Sequence, residues 1–208
     1  MANDAGDRLQ ALGMFASALA GRPVAVAPLD TGEPSWTDGQ ILFVDPLARP
    51  RANLESVAVH ASLIAAGSLA PDVVGALVRH PRLARRYLAV EGHRALAAIG
   101  DLLPRMLNSL VDPEMASRSD SPASSLSIAS GKDVLGDPPA QFGVIRAKKV
   151  VAANGRAATQ VDHESTGHVP RRESKEALEE LDDGEVDDTD DQTCSPAPSA
   201  GAASSASG

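Results

Sequence analysis

The sequence predicts a mainly α-helical fold with a minor two-stranded β element and a disordered acidic C-terminal tail. Three observations predict it. Apolar residues recur at three- and four-residue spacing through four segments between Leu9 and Ile99, the mark of helices with a buried face. Within that region only the short runs near Val24 and Ile41 look like strands. The charge is segregated: the 208-residue chain has a net charge of -9, yet residues 1–110 hold ten basic and ten acidic side chains. Aromatic residues are only 2% of the chain, so a core built from it rests on Ala, Val and Leu.

In the first helix, Leu9, Leu12, Ala16 and Leu19 share a face, Asp4 or Asp7 can cap its start and Gly21 ends it. The small residues Ala18-Leu19-Ala20 resemble a signal-peptidase site, but a secretory signal needs a basic start and here Asp4 and Asp7 accompany only Arg8. An amphipathic helix is the better reading. "RPVAVAPLD" and "WTDGQILFVD" follow and are expected to pair as two strands, with Asp38-Gly39 as a turn signal. In "NLESVAVHASLIAAGSL", Asn53 is the natural cap and Glu55 sits in the first turn, where the helix dipole favours a carboxylate. Leu54, Val57, Ala58, Ala61, Ile64 and Ala65 form one face and Val59 and Leu63 cover much of the rest, so this helix is expected to be central, ending at Gly67-Ser68. "APDVVGALVRH" is a short helix with Pro71 in its first turn. Pro81 separates it from a fourth, running from about Arg82 to Ile99 or Leu103, where Pro104 kinks it or starts another short helix.

Beyond Val111 the composition shifts. Residues 1–111 are expected to form the helical domain, 112–140 a Ser/Pro-rich linker and 141–172 a weakly structured segment in which "QFGVIRAKKVVAA" could form a strand. Residues 173–208 form an acidic, low-complexity tail. Eleven acidic residues against Lys175 between Glu173 and Asp191 favour disorder by self-repulsion.

The fourth helix carries the polar feature of most interest. Leu83, Ala84, Tyr87, Leu88, Ala95 and Ile99 fall on one face, Glu91 projects from its centre and Arg94 lies at its edge, while Arg82, Arg86 and His93 fall on the opposite, solvated side. A buried lone carboxylate costs several kcal/mol or takes up a proton. Glu91 therefore needs a partner, and Arg94, three residues on, offers up to five donors. This predicts a buried polar site of Glu91, Arg94, Tyr87 and His60, of which the last sits on the flank of the central helix. The bland reading is a structural ion pair with a satisfied core histidine. The sharper one is a site that binds a metal or moves protons.

Several activities are disfavoured. A zinc-peptidase helix reads H-E-x-x-H, two ligands one turn apart with a glutamate to activate water. Here the string is "HASLI", with Ala61 and Ile64 at the base and second-ligand positions. His163 and His168, around "ESTG", read as loop without a third ligand. Walker A, G-x-G-x-x-G and G-x-S-x-G strings are absent. The acidic balance argues against nucleic-acid binding by counterion release. The one cysteine, Cys194, excludes an intrachain disulfide framework and fits a reducing cytoplasm.

"WTDGQILFV", "VAVHASLIAAGSL" and "LARRYLAVEGHRALA" followed by "LLP" together resemble the N-terminal region of bacterial von Willebrand factor A proteins of the nitric-oxide-reductase activation type, in alanine- and arginine-rich wording that looks actinobacterial. The resemblance covers about residues 1–172 and implies a zincin-like remnant whose metal site has decayed. His60 would match the first histidine of the family's H-E-x-x-H-like segment, Glu91 its acidic residue and Arg94 the arginine three positions on. It also implies work with a MoxR-class AAA+ ATPase in activating client enzymes or maturing their metal cofactors. The family's Mg²⁺ motif, D-x-S-x-S after an apolar strand, has no good counterpart. "DQTCS" (Asp191 to Ser195) follows a solvated acidic run, and Pro122 occupies the middle ligand position of "DSPAS". The expectation is a non-enzymatic, cytoplasmic adaptor with protein partners, no catalytic residue, no metal and no cofactor. The alternatives are a zinc-dependent metallohydrolase using His60 and Glu91, or an inactive product truncated before its von Willebrand domain.

Overall fold

The computed structural model describes residues 2–165, with side chains over residues 5–156. The architecture is mainly helical, as the periodicity predicts, with seven α-helices among the described residues and a small sheet. Helix α1 spans Ala2–Ala20 and stops at Gly21, but it begins before Asp4 and Asp7, so both lie within it and neither caps it. Strands β1 (Ala25–Pro28), β2 (Trp36–Thr37) and β3 (Ile41–Val44) follow. The expected two-stranded element is therefore a three-stranded sheet in the order β1-β3-β2, with β1 parallel to β3 and β2 antiparallel to it. Asp38 forms the β2–β3 turn by accepting the N–H groups of Gln40 and Ile41 on Oδ1, at 2.9 and 2.8 Å. Two features block the outer edge of β1. Val24 N–H donates to Ser17 Oγ of α1 at 2.9 Å. Leu29 N–H donates inward to Val44, so Pro28 turns its donor-less nitrogen outward, a placement that discourages pairing with another chain.

Helix α2 (Pro50–Ala65) is the central helix: Val57 to Leu63 are buried without a break. It starts at Pro50, so Asn53 is not its cap. Asn53 is buried in the first turns and donates Nδ2–H to the Asp45 carbonyl at 3.0 Å, while Glu55 pairs with Arg51. Helix α3 (Pro71–Arg79) has Pro71 at its first position, and α4 (Leu83–Ala98) packs against α2. After α4 come 3-10 turns at Gly100–Leu102 and Arg105–Leu110, the second following Pro104 as expected.

The segment expected as a linker is folded. Helices α5 (Pro113–Ser117) and α6 (Pro122–Ser130) lie against α4, with Ser125 and Ala129 fully buried. Asp112 caps α5, accepting from Glu114 and Met115 N–H. Ser121 caps α6, accepting from Ser124 N–H, with Pro122 at the first helical position. "DSPAS" is thus a helix start. The expected strand near Val150 is instead part of helix α7 (Ala147–Ser165), which packs on α3 and includes His163 in its backbone. The described residues all belong to one compact unit, so no boundary falls at 111. The acidic tail, Cys194, His168 and "DQTCS" lie outside the described residues. Among those described, no helix is long and apolar enough to cross a membrane.

Because α5, α6 and the turn Ala140–Phe142 cover the far side of α4, that side is not solvated. His93 is buried, its ring tilted on Phe142 at 4.8 Å, and its Nδ1 accepts Asp112 N–H at 3.1 Å. Arg86 is half-buried and caps the end of α6 by donating to the carbonyls of Ala129 (2.7 Å) and Gly131 (3.0 Å). Arg82 alone of the three is exposed, as expected.

Gly92 shows how closely this cover fits. A side chain on it would overlap the Phe142 ring. Alanine is the better helix former by about 1 kcal/mol, but overpacking a full core costs about 1–3 kcal/mol. Gly92→Ala is therefore expected to lower stability in urea denaturation, and Phe142→Leu in the same chain to recover part of the loss. A stabilised single variant would show that the cover over α4 yields freely.

Candidate functional site

The end of α2 builds the polar site. With Gly67 in the left-handed region at φ 67°, Ser68 N–H reaches the Leu63 carbonyl at 2.9 Å and Gly67 N–H that of Ile64 at 3.2 Å, a Schellman closure. The closure carries Ser68 into the interior, where it is fully buried. Its carbonyl accepts the Tyr87 hydroxyl at 2.8 Å and its own hydroxyl donates to Glu91 Oε1.

Glu91 is fully buried in α4. Arg94 grips its carboxylate with two donors, Nε to Oε2 at 2.7 Å and Nη2 to Oε1 at 2.5 Å. Ser125 Oγ of α6 donates to Oε2 at 2.7 Å, and Ser119 Oγ lies 2.8 Å behind it. A carboxylate offers about four lone-pair sites. Two are filled by Arg94, one by Ser68 and one by Ser125, so the group is saturated by its own chain. Arg94 also reaches the Ala66 carbonyl at 3.4 Å.

The electrostatics follow from this packing. The hydrogen bonds to Glu91 hold the Arg94 guanidinium above its usual value, against the opposing effect of burial. Burial, reinforced by the charge on Glu91, pushes the Tyr87 phenol up, so it stays protonated and acts as a donor. The pair, with Ser68 and Ser125, ties the end of α2, α4 and α6 to one another.

Of the four residues expected at the site, Glu91, Arg94 and Tyr87 come together around Ser68. His60 does not join them. It is fully buried elsewhere on α2, with Nε2 3.1 Å from Ser35 Oγ and no partner for Nδ1 among the described residues. The tautomer carrying its hydrogen on Nε2 leaves only a lone pair unmet, which costs less than stranding an N–H. His60 and Glu91 share no hydrogen-bonding group. Among the described residues no three His, Cys, Asp or Glu side chains converge where they could hold one ion. The serines 68, 119 and 125 were not expected. The Gly67-Ser68 stop and the Ser121-Pro122 cap were readable signals of the turns that deliver them.

Two outcomes follow from this geometry. Glu91→Ala leaves Arg94 half-buried without its counter-charge and two buried hydroxyls without their acceptor, and is expected to cost about 3–5 kcal/mol in chemical denaturation. A near-neutral change would show that the helices do not depend on the pair. For His60, burial lowers the pKa from 6.5 to about 4. The unfolded chain therefore binds the proton first as pH falls. Stability should drop by about 1.4 kcal/mol per pH unit through the window from 6.5 to about 4, with His93 adding to it in the same direction. His60→Gln should flatten that slope by close to one proton, and an unchanged slope would refute the burial argument.

No protein-family model, curated protein or solved structure matches this chain, so the functional reading rests on the residues and their geometry.

Proposed function

We propose that this chain is a non-enzymatic partner-binding module, an adaptor that works in the cytoplasm with a MoxR-class AAA+ ATPase in activating a client enzyme or maturing its metal cofactor. The single observation that supports the non-enzymatic part is the saturation of Glu91. A carboxylate that serves as general base or metal ligand keeps a lone pair for the proton or the ion. Here all four sites are occupied by Arg94, Ser68 and Ser125. The ATPase and client rest on the sequence resemblance alone. In this reading the charged pair is an internal lock, and recognition falls to the outer surface of the helical body.

Purification of the tagged full chain from native cells is expected to bring a MoxR-class ATPase with it in near-stoichiometric amount, with zinc well below one ion per chain. Recovery without any ATPase would overturn the adaptor role. Stoichiometric zinc that disappears in His60→Ala would overturn the non-enzymatic reading in favour of a metallohydrolase.

A further inference from the structure

At the corner between α3 and α4 two concavities meet at Pro81. One, of about 350 Å³, has a floor that includes Leu77, Val78, Ala84 and Ile145 and a rim that includes Lys148 and Lys149. The other, of about 480 Å³, is lined by Arg79, His80, Arg82 and Leu83. Arg79, Arg82, Lys148 and Lys149 are all exposed. The neighbouring cations are engaged: Arg85 with Asp137, Arg86 with the end of α6 and Arg146 with Glu33. These four have no ion pair or side-chain hydrogen bond among the described residues.

Local helix chemistry accounts for Arg79, in the last turn of α3 where the dipole favours a cation, but not for the other three. Neither α4 nor α7 has an acidic residue in its first turn, and Lys148 and Lys149 occupy the first turn of α7, where the helix dipole favours carboxylates. Arg82, Lys148 and Lys149 therefore flank an apolar floor at some cost to the fold and with no counter-charge among the described residues. Departures from local consistency of this kind are expected where a function overrides it.

We propose that this corner docks an acidic peptide segment of a partner protein, seating an aliphatic side chain on the floor formed by Leu77, Val78 and Ile145 and its carboxylates against Arg79, Arg82, Lys148 and Lys149. The inference names a surface for the partner-binding module and rests on that reading. A nucleic-acid strand fits less well, because neither concavity is lined by Phe, Tyr or Trp, His80 is the one ring present, and the floor beside it is aliphatic. The apolar floor supplies contact area, and the cations supply orientation and a fast, salt-sensitive encounter.

The test uses the full chain and a fluorescein-labelled synthetic peptide of glutamate with leucines at i and i+4, followed by fluorescence anisotropy. Saturable binding is expected at low salt, weakened about tenfold or more at high ionic strength, where the screening length falls to a few ångströms. Lys148→Glu with Lys149→Glu should weaken it by a similar factor, whereas the charge-matched pair Arg49→Glu with Arg105→Glu should leave it unchanged. Equal loss in both double variants would overturn the site in favour of bulk charge. Equal binding of a glutamate-only peptide would overturn the apolar floor, and absence of binding would overturn the surface itself. None of these outcomes touches the ATPase and zinc measurements, so this surface and the adaptor role fail separately.

Discussion

A carboxylate cannot be taken out of water cheaply, and the arrangement of this molecule follows from having done so at Glu91. Its four acceptor sites are met from three directions: along its own helix by Arg94, from the end of α2 by Ser68 and from α6 by Ser125. Each donor is useful only if its helix is in register. A slip of α4 by one residue would swing Glu91 about 100° away from both hydroxyls. Two apolar clusters flank this arrangement, one centred on α2 and one around Tyr87, α3 and α7. Apolar burial supplies most of the driving force to collapse, but it is non-directional. In a core built largely of Ala, Val and Leu, the carboxylate is what distinguishes one packing from its near neighbours. Buried pairs add little net stability against an apolar replacement.

How much of this was legible depended on the range of each interaction. Tyr87, Glu91 and Arg94 lie within two turns of one helix, and periodicity alone brings them onto one side. The serines come from segments 23 and 34 residues away from Glu91. Serine leaves no periodic mark, because it is as common in turns as in cores where a hydroxyl finds a partner. The composition of residues 112–140 therefore suggested a linker. Burial of Ser125 and Ala129, together with the Asp112-Pro113 and Ser121-Pro122 caps, explains why it folds instead. His93 was misplaced for a related reason. A helical wheel separates a wet from a dry side only when one side meets water, and α4 is covered on both.

The two buried histidines show how differently a fold can treat one residue type. His93 accepts a backbone N–H on Nδ1, and its ring lies against Phe142. His60 has the Ser35 hydroxyl as its one partner among the described residues, beside the point where Gly143 passes so close that no side chain would fit. There Val144 N–H donates to the Ser35 carbonyl at 2.9 Å, tying the crossing segment to the start of β2. Arg146 then lies over Trp36, 4.9 Å from its ring centroid. The strap from Pro139 to Arg146 is thus fastened along α2 and β2 by many weak contacts, with neutral His60 as a spacer beneath them. A charged imidazole at this point would have no counter-ion among its hydrogen-bonding partners.

Inside the molecule, then, the charges that are buried are answered. Arg94 has Glu91, and Arg86 has the end of α6. At the α3–α4 corner the pattern inverts, with four exposed cations that have no ion pair among the described residues. A folded chain with about as many acidic as basic residues before Val111 had the means to neutralise that corner. Moving one of those carboxylates into the first turn of α7 would even have favoured the helix. The saturated interior and the unanswered corner are consistent with a division of labour in which buried charge specifies the fold and exposed charge selects what the fold meets.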